Sequence, residues 1–183
     1  MRRPNYGLDA PIVLRRLVIF GVSAVVLGLM MPPVLERLIW AAGVWSLVCA
    51  GVMLWGSKVG KFRLRDRLVT AIPWRGDEKV LDVGCGRGLL LIAAAKRLST
   101  GKAIGVDIWS ESDQARNSPQ ATLDNATIEG VEDRVKLQTG DARTLPFGDE
   151  TFDVIVSSFA FHNISDKSER GKAIREVVRV LKP

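Results

Sequence analysis

The sequence predicts an α/β protein in which a doubly wound parallel sheet follows two transmembrane helices. Three observations lead to this prediction. Two long apolar runs fall within the first 57 residues, short apolar strands alternate with helices from Arg63 onward, and the excess of basic residues is confined to the first part of the chain. The 183 residues, 47% of them hydrophobic, suffice for one domain of ordinary size. This composition excludes disordered, collagen-like and disulfide-scaffold proteins.

The charge distribution limits the choice of partners. The first 79 residues carry 12 Lys and Arg against five Asp and Glu, whereas the remaining residues carry 14 against 15. The distal part therefore lacks the net positive charge that holds a phosphate backbone, and no nucleic-acid partner is expected. Cys49 and Cys85 have no partner at metal-ligand spacing, and a single histidine precludes a multi-histidine site. We expect free thiols and no metal.

Two apolar runs, residues 12–35 and 38–57, predict a membrane-spanning hairpin. Each is close to the roughly 20 residues that a helix needs to cross the hydrocarbon core. Pro32 and Pro33 end the first helix, because proline lacks a backbone donor and disfavours helix in the residue before it. Glu36 and Arg37 then lie in a very short turn. A helical pair buried in a soluble protein and a cleaved signal peptide are the alternatives, and two such runs in succession weigh against both.

Basic residues on both sides of the hairpin predict its orientation. Arg37 is the only basic residue between the two runs. Under the positive-inside rule both ends of the hairpin lie in the cytoplasm, so the sequence predicts a two-pass membrane protein whose following domain is cytoplasmic. The flanking basic residues are Arg2, Arg3, Arg15, Arg16, Lys58, Lys61, Arg63, Arg65 and Arg67.

Strands and helices alternate from Arg63 to the end of the chain. This alternation predicts a parallel, doubly wound sheet with helices on its faces. The predicted strands are residues 79–83, 103–107, 135–139 and 152–157. The predicted helices are residues 63–72, 89–99, 118–130 and a last helix from about Ser168.

A glycine turn and an acidic residue predict a Rossmann-like cofactor site. Gly84, Gly86 and Gly88 follow the first strand, and Asp107 ends the second strand 19 residues after Gly88. Glycine allows a tight turn close to a ligand, and an acid at that spacing is typical of groups that bind ribose hydroxyls. A phosphate-binding Gly-Lys-Ser/Thr motif is absent. The only tyrosine, Tyr6, precedes the hairpin, so no Tyr-x-x-x-Lys pair supports the alternative of a dinucleotide oxidoreductase.

Five sequence blocks, taken in order, resemble class I S-adenosylmethionine-dependent methyltransferases. The resemblance is to the methyltransferase type 11 branch, which includes enzymes of ubiquinone and menaquinone biosynthesis, and it covers about residues 63–183. Five blocks in the right order are far more specific than any one of them. The blocks are VLDVGCGRG (80–88), GVDIW (105–109), GDARTLPF (140–147), FDVIVSSFAFHNI (152–164) and REVVRVLKP (175–183).

The resemblance implies S-adenosylmethionine (SAM) as the cofactor and assigns residues to its parts. Asp82 and the three glycines of the turn would line its methionine and ribose portion. Asp107 would hold the ribose hydroxyls, and Ile108 and Trp109 would flank the adenine.

The later blocks complete the implied site. Asp141 and Ala142 would meet the edge of the adenine, while Ser157 and Ser158 would face the methionine end and the reacting methyl. Phe161, His162 and Asn163 would approach the substrate.

Methyl transfer from a sulfonium chiefly requires positioning and the exclusion of water. A base is needed only if the nucleophile carries a proton at the wrong pKa, and His162 is the candidate. A hydrogen-bonding role in a loop is an equally good interpretation of this histidine.

The sequence thus predicts an N-terminal tail and membrane anchor in residues 1–57 and a methyltransferase domain in residues 58–183. Because the family continues beyond the Leu-Lys-Pro motif, that domain is expected to be incomplete at its C-terminus. The predicted function is methyl transfer to a small-molecule or lipid-like acceptor at the membrane. The alternative is a non-catalytic, membrane-anchored module that binds SAM and interacts with other proteins, or an inactive fragment.

Overall fold

A computed structural model describes residues 3–110 and 117–183, which form two compact units. One unit is Leu8–Arg63. The other is Leu64–Pro183 together with the segment that ends at Gly7. The predicted boundary at residue 57 assigned that N-terminal segment to the anchor, whereas the structure groups it with the sheet. Arg2, which contributes to the charge argument, lies outside the described residues.

The first unit is a pair of helices, α1 (Pro11–Gly28) and α2 (Pro33–Trp55), followed by a π-helical turn at Gly56–Gly60. The chain reverses at residues 29–32, earlier than the charged pair Glu36 and Arg37 predicts. Pro33 occupies the first turn of α2, where a missing backbone donor has no cost, and Glu36 lies favourably in the same turn. The two charged residues therefore belong to a helix rather than to the connection.

Small residues form the contact between α1 and α2. Ser46 Oγ donates a hydrogen bond of 2.9 Å to the Leu17 carbonyl. A Cβ atom added at Gly43 would lie 2.9 Å from the Gly21 carbonyl oxygen, so the two backbones approach closely. The large apolar side chains point outward, and Met30, for example, is 82% exposed. The buried residues are Gly21, Ala24, Gly28, Gly43, Ser46 and Ala50.

The second unit contains a four-stranded parallel sheet in the order β3-β2-β1-β4. The direction of strand addition reverses between β1 and β4, as in a doubly wound sheet, which confirms the predicted fold class. The strands are β1 (Lys79–Val83), β2 (Lys102–Asp107), β3 (Val135–Thr139) and β4 (Val154–Val156). The helices are α3 (Lys61–Thr70), which begins in the first unit, α4 (Leu89–Ala95), α5 (Pro119–Ile128) and α6 (Lys167–Val180).

Alternate residues of β1 face opposite layers. Leu81 and Val83 pack with Phe152 and with Val180 of α6 in the main apolar cluster. Asp82 points to the other face, where its carboxylate accepts the Leu91 N–H of α4 at 2.9 Å. This alternation follows from the two-residue period of a strand, and it places α4 and α6 on opposite sides of the sheet.

Helix α4 and strand β4 are shorter in the structure than the sequence predicts. Helix α4 ends at Ala95, because the Arg97 and Leu98 N–H groups make i→i−3 bonds and the chain tightens into a turn. Strand β4 begins at Val154, because Phe152 instead forms a parallel bridge with Leu181 at the end of α6. Both differences lie outside the glycine turn that follows β1.

Candidate cofactor site

The glycine turn after β1 requires glycine for two reasons. Gly84, Gly86 and Gly88 have φ angles of 71°, 50° and 84°, which side-chain-bearing residues rarely adopt. Neighbouring atoms also leave no room for side chains. A Cβ atom at Gly84 would overlap the Cβ of Ala160, and one at Gly88 would lie 2.8 Å from Thr122 Cγ2. The turn therefore brings bare backbone to the carboxyl ends of the strands.

Asp107 links the glycine turn to the end of β2. Its Oδ2 accepts the Gly86 N–H at 2.8 Å, and its Oδ1 accepts the Trp109 N–H at 2.6 Å. The Asn117 side-chain amide donates to the same Oδ1 at 3.2 Å. The structure thus places Asp107 beside the glycines, as the resemblance implies.

Two buried polar side chains of α5 hold the turn from its other side. Thr122 Oγ1 donates to the Gly86 carbonyl at 2.6 Å, and Asn125 Nδ2 donates to the Arg87 carbonyl at 3.0 Å. Neither residue was predicted to contribute to the site. One sequence signal could have identified them. The two polar residues lie three positions apart, on the helix face that also carries the buried Ala126.

Asp82 lies beneath the turn and is only 2% exposed. Burial, reinforced by the negative charge of Asp107, raises the pKa of Asp82 from its ordinary value of 3.8 to about 7, although the Leu91 N–H opposes the shift. The same burial, with both nearby carboxylates, raises the pKa of the Cys85 thiol. Asp82 therefore supports the start of α4 by accepting the Leu91 N–H. Cys85 is a free, buried thiol.

The residues after β2 and β3 lie at the same edge of the sheet. Ile108 is 62% exposed, and Trp109 has a φ of 59° while its indole Nε1 donates to Thr139 Oγ1 at 2.9 Å. Asp141 forms an ion pair with Arg143, and hydrogen bonds from Arg143 lower the pKa of Asp141. Arg143 donates to both carboxylate oxygens of Asp141. The sequence did not predict this ion pair.

The segment after β4 closes the site on the other side of β1. Ser157 Oγ donates to the Val83 carbonyl at 2.8 Å, and Ser158 is half-buried. Phe159 is 70% exposed with a φ of 55°, a conformation that is strained for an aromatic residue. The exposed His162 ring packs edge-on against Phe159, with 6.0 Å between the ring centroids.

The implied site residues fall into two sets. Contacts connect Asp107 with the glycine turn and with Trp109, and Ser157 with the end of β1. The Ala142 side chain instead packs against the apolar cluster on the α6 face.

Asp166, two residues after the fourth block, has a structural role. Its carboxylate caps α6 by accepting the Ser168 and Glu169 N–H groups.

The groups at this edge fit a nucleoside cofactor. They comprise the half-buried carboxylate of Asp107, the exposed aliphatic side chain of Ile108 and a turn in which three glycines have positive φ angles. Asn117, beside Asp107, is 6% exposed, and its Oδ1 has no hydrogen-bond partner among residues 3–110 and 117–183. Within the same residues, no group of three or more His, Cys, Asp or Glu side chains is placed to hold a metal ion.

Comparison with known proteins identifies the family. The sequence model described as "Methyltransferase domain" matches residues 80–183, and the chain belongs to this family of class I SAM-dependent methyltransferases. SAM is the cofactor of the class, so the predicted cofactor is confirmed at the level of the family.

Individual relatives agree with this assignment. The demethylmenaquinone methyltransferase of Lactiplantibacillus plantarum is 37% identical over 65% of this chain and 47% of its own length. The 27-O-demethylrifamycin SV methyltransferase of Amycolatopsis mediterranei is 35% identical over 66% of this chain and 41% of its own length. A crystal structure of a SAM-dependent methyltransferase from Aquifex aeolicus has a TM-score of 0.53 and 25% identity, over 65% of this chain and 58% of that one. The chain spans about half the length of the curated relatives it matches.

Proposed function

We propose that the sheet unit binds SAM at the carboxyl ends of β1, β2 and β4, and that the protein transfers the methyl group to an acceptor. The observation that carries this proposal is the hydrogen bond from the glycine turn, at the end of β1, to Asp107, at the end of β2. The strand order reverses on the other side of β1, between β1 and β4. In this proposal Asp107 and the glycine turn hold the ribose and methionine portion. Ile108 and Trp109 flank the adenine, with Asp141 and Ala142 at its edge.

The chemistry that SAM supplies when bound is an electrophilic methyl group on a sulfonium. The protein's part is to fix the geometry and exclude water. Ser157, held by the Val83 carbonyl, and Ser158 form the wall at the end of β4. The exposed Phe159 provides an apolar surface beside them. His162 is placed at the surface where it can accept a proton from an acceptor that must lose one.

Calorimetric titration of the full chain with S-adenosylhomocysteine tests cofactor binding. We expect Asp107→Asn to weaken binding by about tenfold or more, equivalent to about 1.4 kcal/mol, because an amide removes one of the two acceptor atoms. Asp133→Asn is the matched control. Asp133 precedes β3 at the amino end of the strands, and its side chain is 72% exposed. Absence of binding to the wild type, or equal binding by all three proteins, would contradict the proposal.

Methyl transfer separates an enzyme from the alternative of a non-catalytic SAM-binding module. The names of the two curated relatives specify different acceptors, a demethylmenaquinone and a demethylrifamycin. Membrane extract and soluble extract should therefore be offered separately, with SAM labelled in its methyl group. Label in a lipid fraction supports a lipid-like acceptor, and label in the soluble fraction alone contradicts it. Cofactor binding without transfer to either extract favours the non-catalytic module.

We also propose that α1 and α2 cross a membrane. Both helices are long and apolar enough to cross a membrane, and most of their residues are not buried. Their contact surface consists of small residues, and their large apolar side chains point outward, which is typical of helix pairs in lipid. A soluble helical pair would place those side chains inside.

The N-terminal segment supports an even number of membrane crossings. Residues up to Gly7 pack in the same compact unit as Leu64–Pro183. If the chain crosses a membrane between them, it must return to the same side. The positive-inside rule, applied to the flanking arginines and lysines, assigns that side to the cytoplasm.

A further inference from the structure

The segment that precedes the first apolar helix, Arg3–Gly7, packs against α5; we call it the strap. Tyr6 is only 5% exposed, and its hydroxyl donates to Glu129 Oε1 at 3.1 Å. The Asn5 N–H donates to Asn125 Oδ1 at 2.8 Å. Glu129 also pairs with Lys96 at the end of α4. The strap is therefore bound by specific polar contacts as well as by burial of an aromatic ring.

Asn125 connects the strap to the glycine turn through a single side chain. Its amide nitrogen donates to the Asn5 carbonyl at 3.1 Å and to the Arg87 carbonyl at 3.0 Å, while its oxygen accepts the Asn5 N–H. The residue is 2% exposed while the strap is in place. Without the strap, one N–H and the oxygen of this amide lose the partners that hold it toward the Arg87 carbonyl.

We propose that the strap positions the glycine turn for cofactor binding, with Asn125 as the positioning residue. The Arg87 carbonyl lies between Gly86 and Gly88, the two glycines nearest α4. The Asn5 backbone bonds both the nitrogen and the oxygen of the Asn125 side-chain amide, and this keeps Asn125 oriented toward the Arg87 carbonyl. Loss of the strap then frees the turn and lowers the affinity of the site. The part of the inference that concerns affinity rests on the proposed function.

Two variants and one control test the strap in the full chain. Asn125→Asp keeps the size and one acceptor but loses both N–H donors and turns a carboxylate toward two carbonyls. Deletion of residues 2–7 removes the strap and leaves the sequence of α5 unchanged. Asn5→Ala is the control, because both bonds to Asn125 come from the Asn5 backbone and only the side-chain bond to the Gly7 N–H is lost.

Amide hydrogen exchange without cofactor is the first readout. We expect exchange of the Gly86 and Gly88 amides to become about tenfold faster in both test variants, and to stay at the wild-type rate in Asn5→Ala. The amides of α6 serve as an internal reference, because α6 lies on the other face of the sheet. Unchanged exchange in the turn, or equal acceleration in the turn and in α6, would overturn the inference, since equal acceleration indicates global destabilisation.

Titration with S-adenosylhomocysteine is the second readout. We expect about tenfold weaker binding in both test variants and wild-type binding in Asn5→Ala. If the wild type binds no S-adenosylhomocysteine, the proposed function fails, and the exchange measurement still decides whether the strap holds the turn. If the wild type binds and both test variants bind equally well, the positioning role is refuted and the proposed function stands.

Discussion

Asp82 is a carboxylic acid held in a fully buried position between β1 and α4. Its folded-state pKa of about 7 lies above the ordinary value of 3.8. Between these two values the folded protein keeps a proton that the unfolded chain has released, so stability falls as the pH rises through this window. At 1.36 kcal/mol per pH unit, the loss from this group reaches up to about 4 kcal/mol.

We therefore expect Asp82→Asn to remove much of the decrease in melting temperature between about pH 5 and about pH 8. Thermal unfolding of the full chain in detergent across that range measures the effect. This pH range lies above the titration of four other acidic groups, because their pKa values are lowered in the folded protein. These groups are Asp141, Asp153, Asp166 and Glu176. Parallel pH profiles for the wild type and Asp82→Asn would show that the burial of Asp82 does not govern this part of the stability curve.

At the same scale, the sequence indicated the glycine turn and Asp107 but not the side chains that hold the turn in place. Gly84, Gly86, Gly88 and Asp107 were identifiable because a strand, a glycine turn and an acid at fixed spacing form a local pattern. Thr122 and Asn125 carry no such pattern. Their importance comes from contacts with backbone carbonyls more than 30 positions away, which only the folded chain reveals.

The stability of the α1–α2 hairpin depends on the close contact between its two helices. Gly43 lies in that contact, whereas Gly51, in the same helix, has no atom within 4 Å of an added Cβ. We expect Gly43→Leu to destabilise the α1–α2 pair by about 1–3 kcal/mol through overpacking, and Gly51→Leu to have little effect. Thermal unfolding in detergent, followed by far-ultraviolet circular dichroism, compares the two. Equal behaviour of the two variants would contradict the described helix contact.

Elements were predictable where a local signal marked both ends. Strands β1 and β3 occupy the predicted residues because short apolar runs end there at glycine or at a charged turn. The start of α5 was marked by Ser118 and Pro119, and Ser118 Oγ accepts the Ala121 N–H. The end of α4 and the start of β4 were not marked, because tight turns and a pairing with Leu181 decide them.

For the whole molecule, the proposed topology predicts which positions a membrane-impermeant thiol reagent reaches in intact cells. Met30→Cys, in the connection between α1 and α2, should be labelled from outside. Asp133→Cys should be labelled only after permeabilisation, because the proposed topology places the sheet unit in the cytoplasm. The wild type, with Cys49 and the buried Cys85, gives the background. Labelling of both variants, or of Asp133→Cys alone, in intact cells would contradict the topology.

The organisation of the whole chain was predictable only in part. The apolar runs and the alternation of strands and helices indicated the anchor and the sheet. No sequence signal joined Asn5 and Tyr6 to the sheet unit, because five residues without a repeating pattern reveal nothing about a partner far along the chain. The predicted boundary at residue 57 assigned them to the N-terminal tail, whereas their hydrogen bonds are to Asn125 of α5 and to Glu129 directly after it.

The strap also imposes an order on biosynthesis. Asn5 leaves the ribosome first, and its partner Asn125 is made 120 residues later. Both hydrophobic helices are synthesised during that interval, so in the proposed topology the strap docks only after they have entered the membrane. Such a late, long-range closure is sensitive to anything attached ahead of it. A tag or reporter fused directly ahead of the strap in a recombinant protein would be held next to α5.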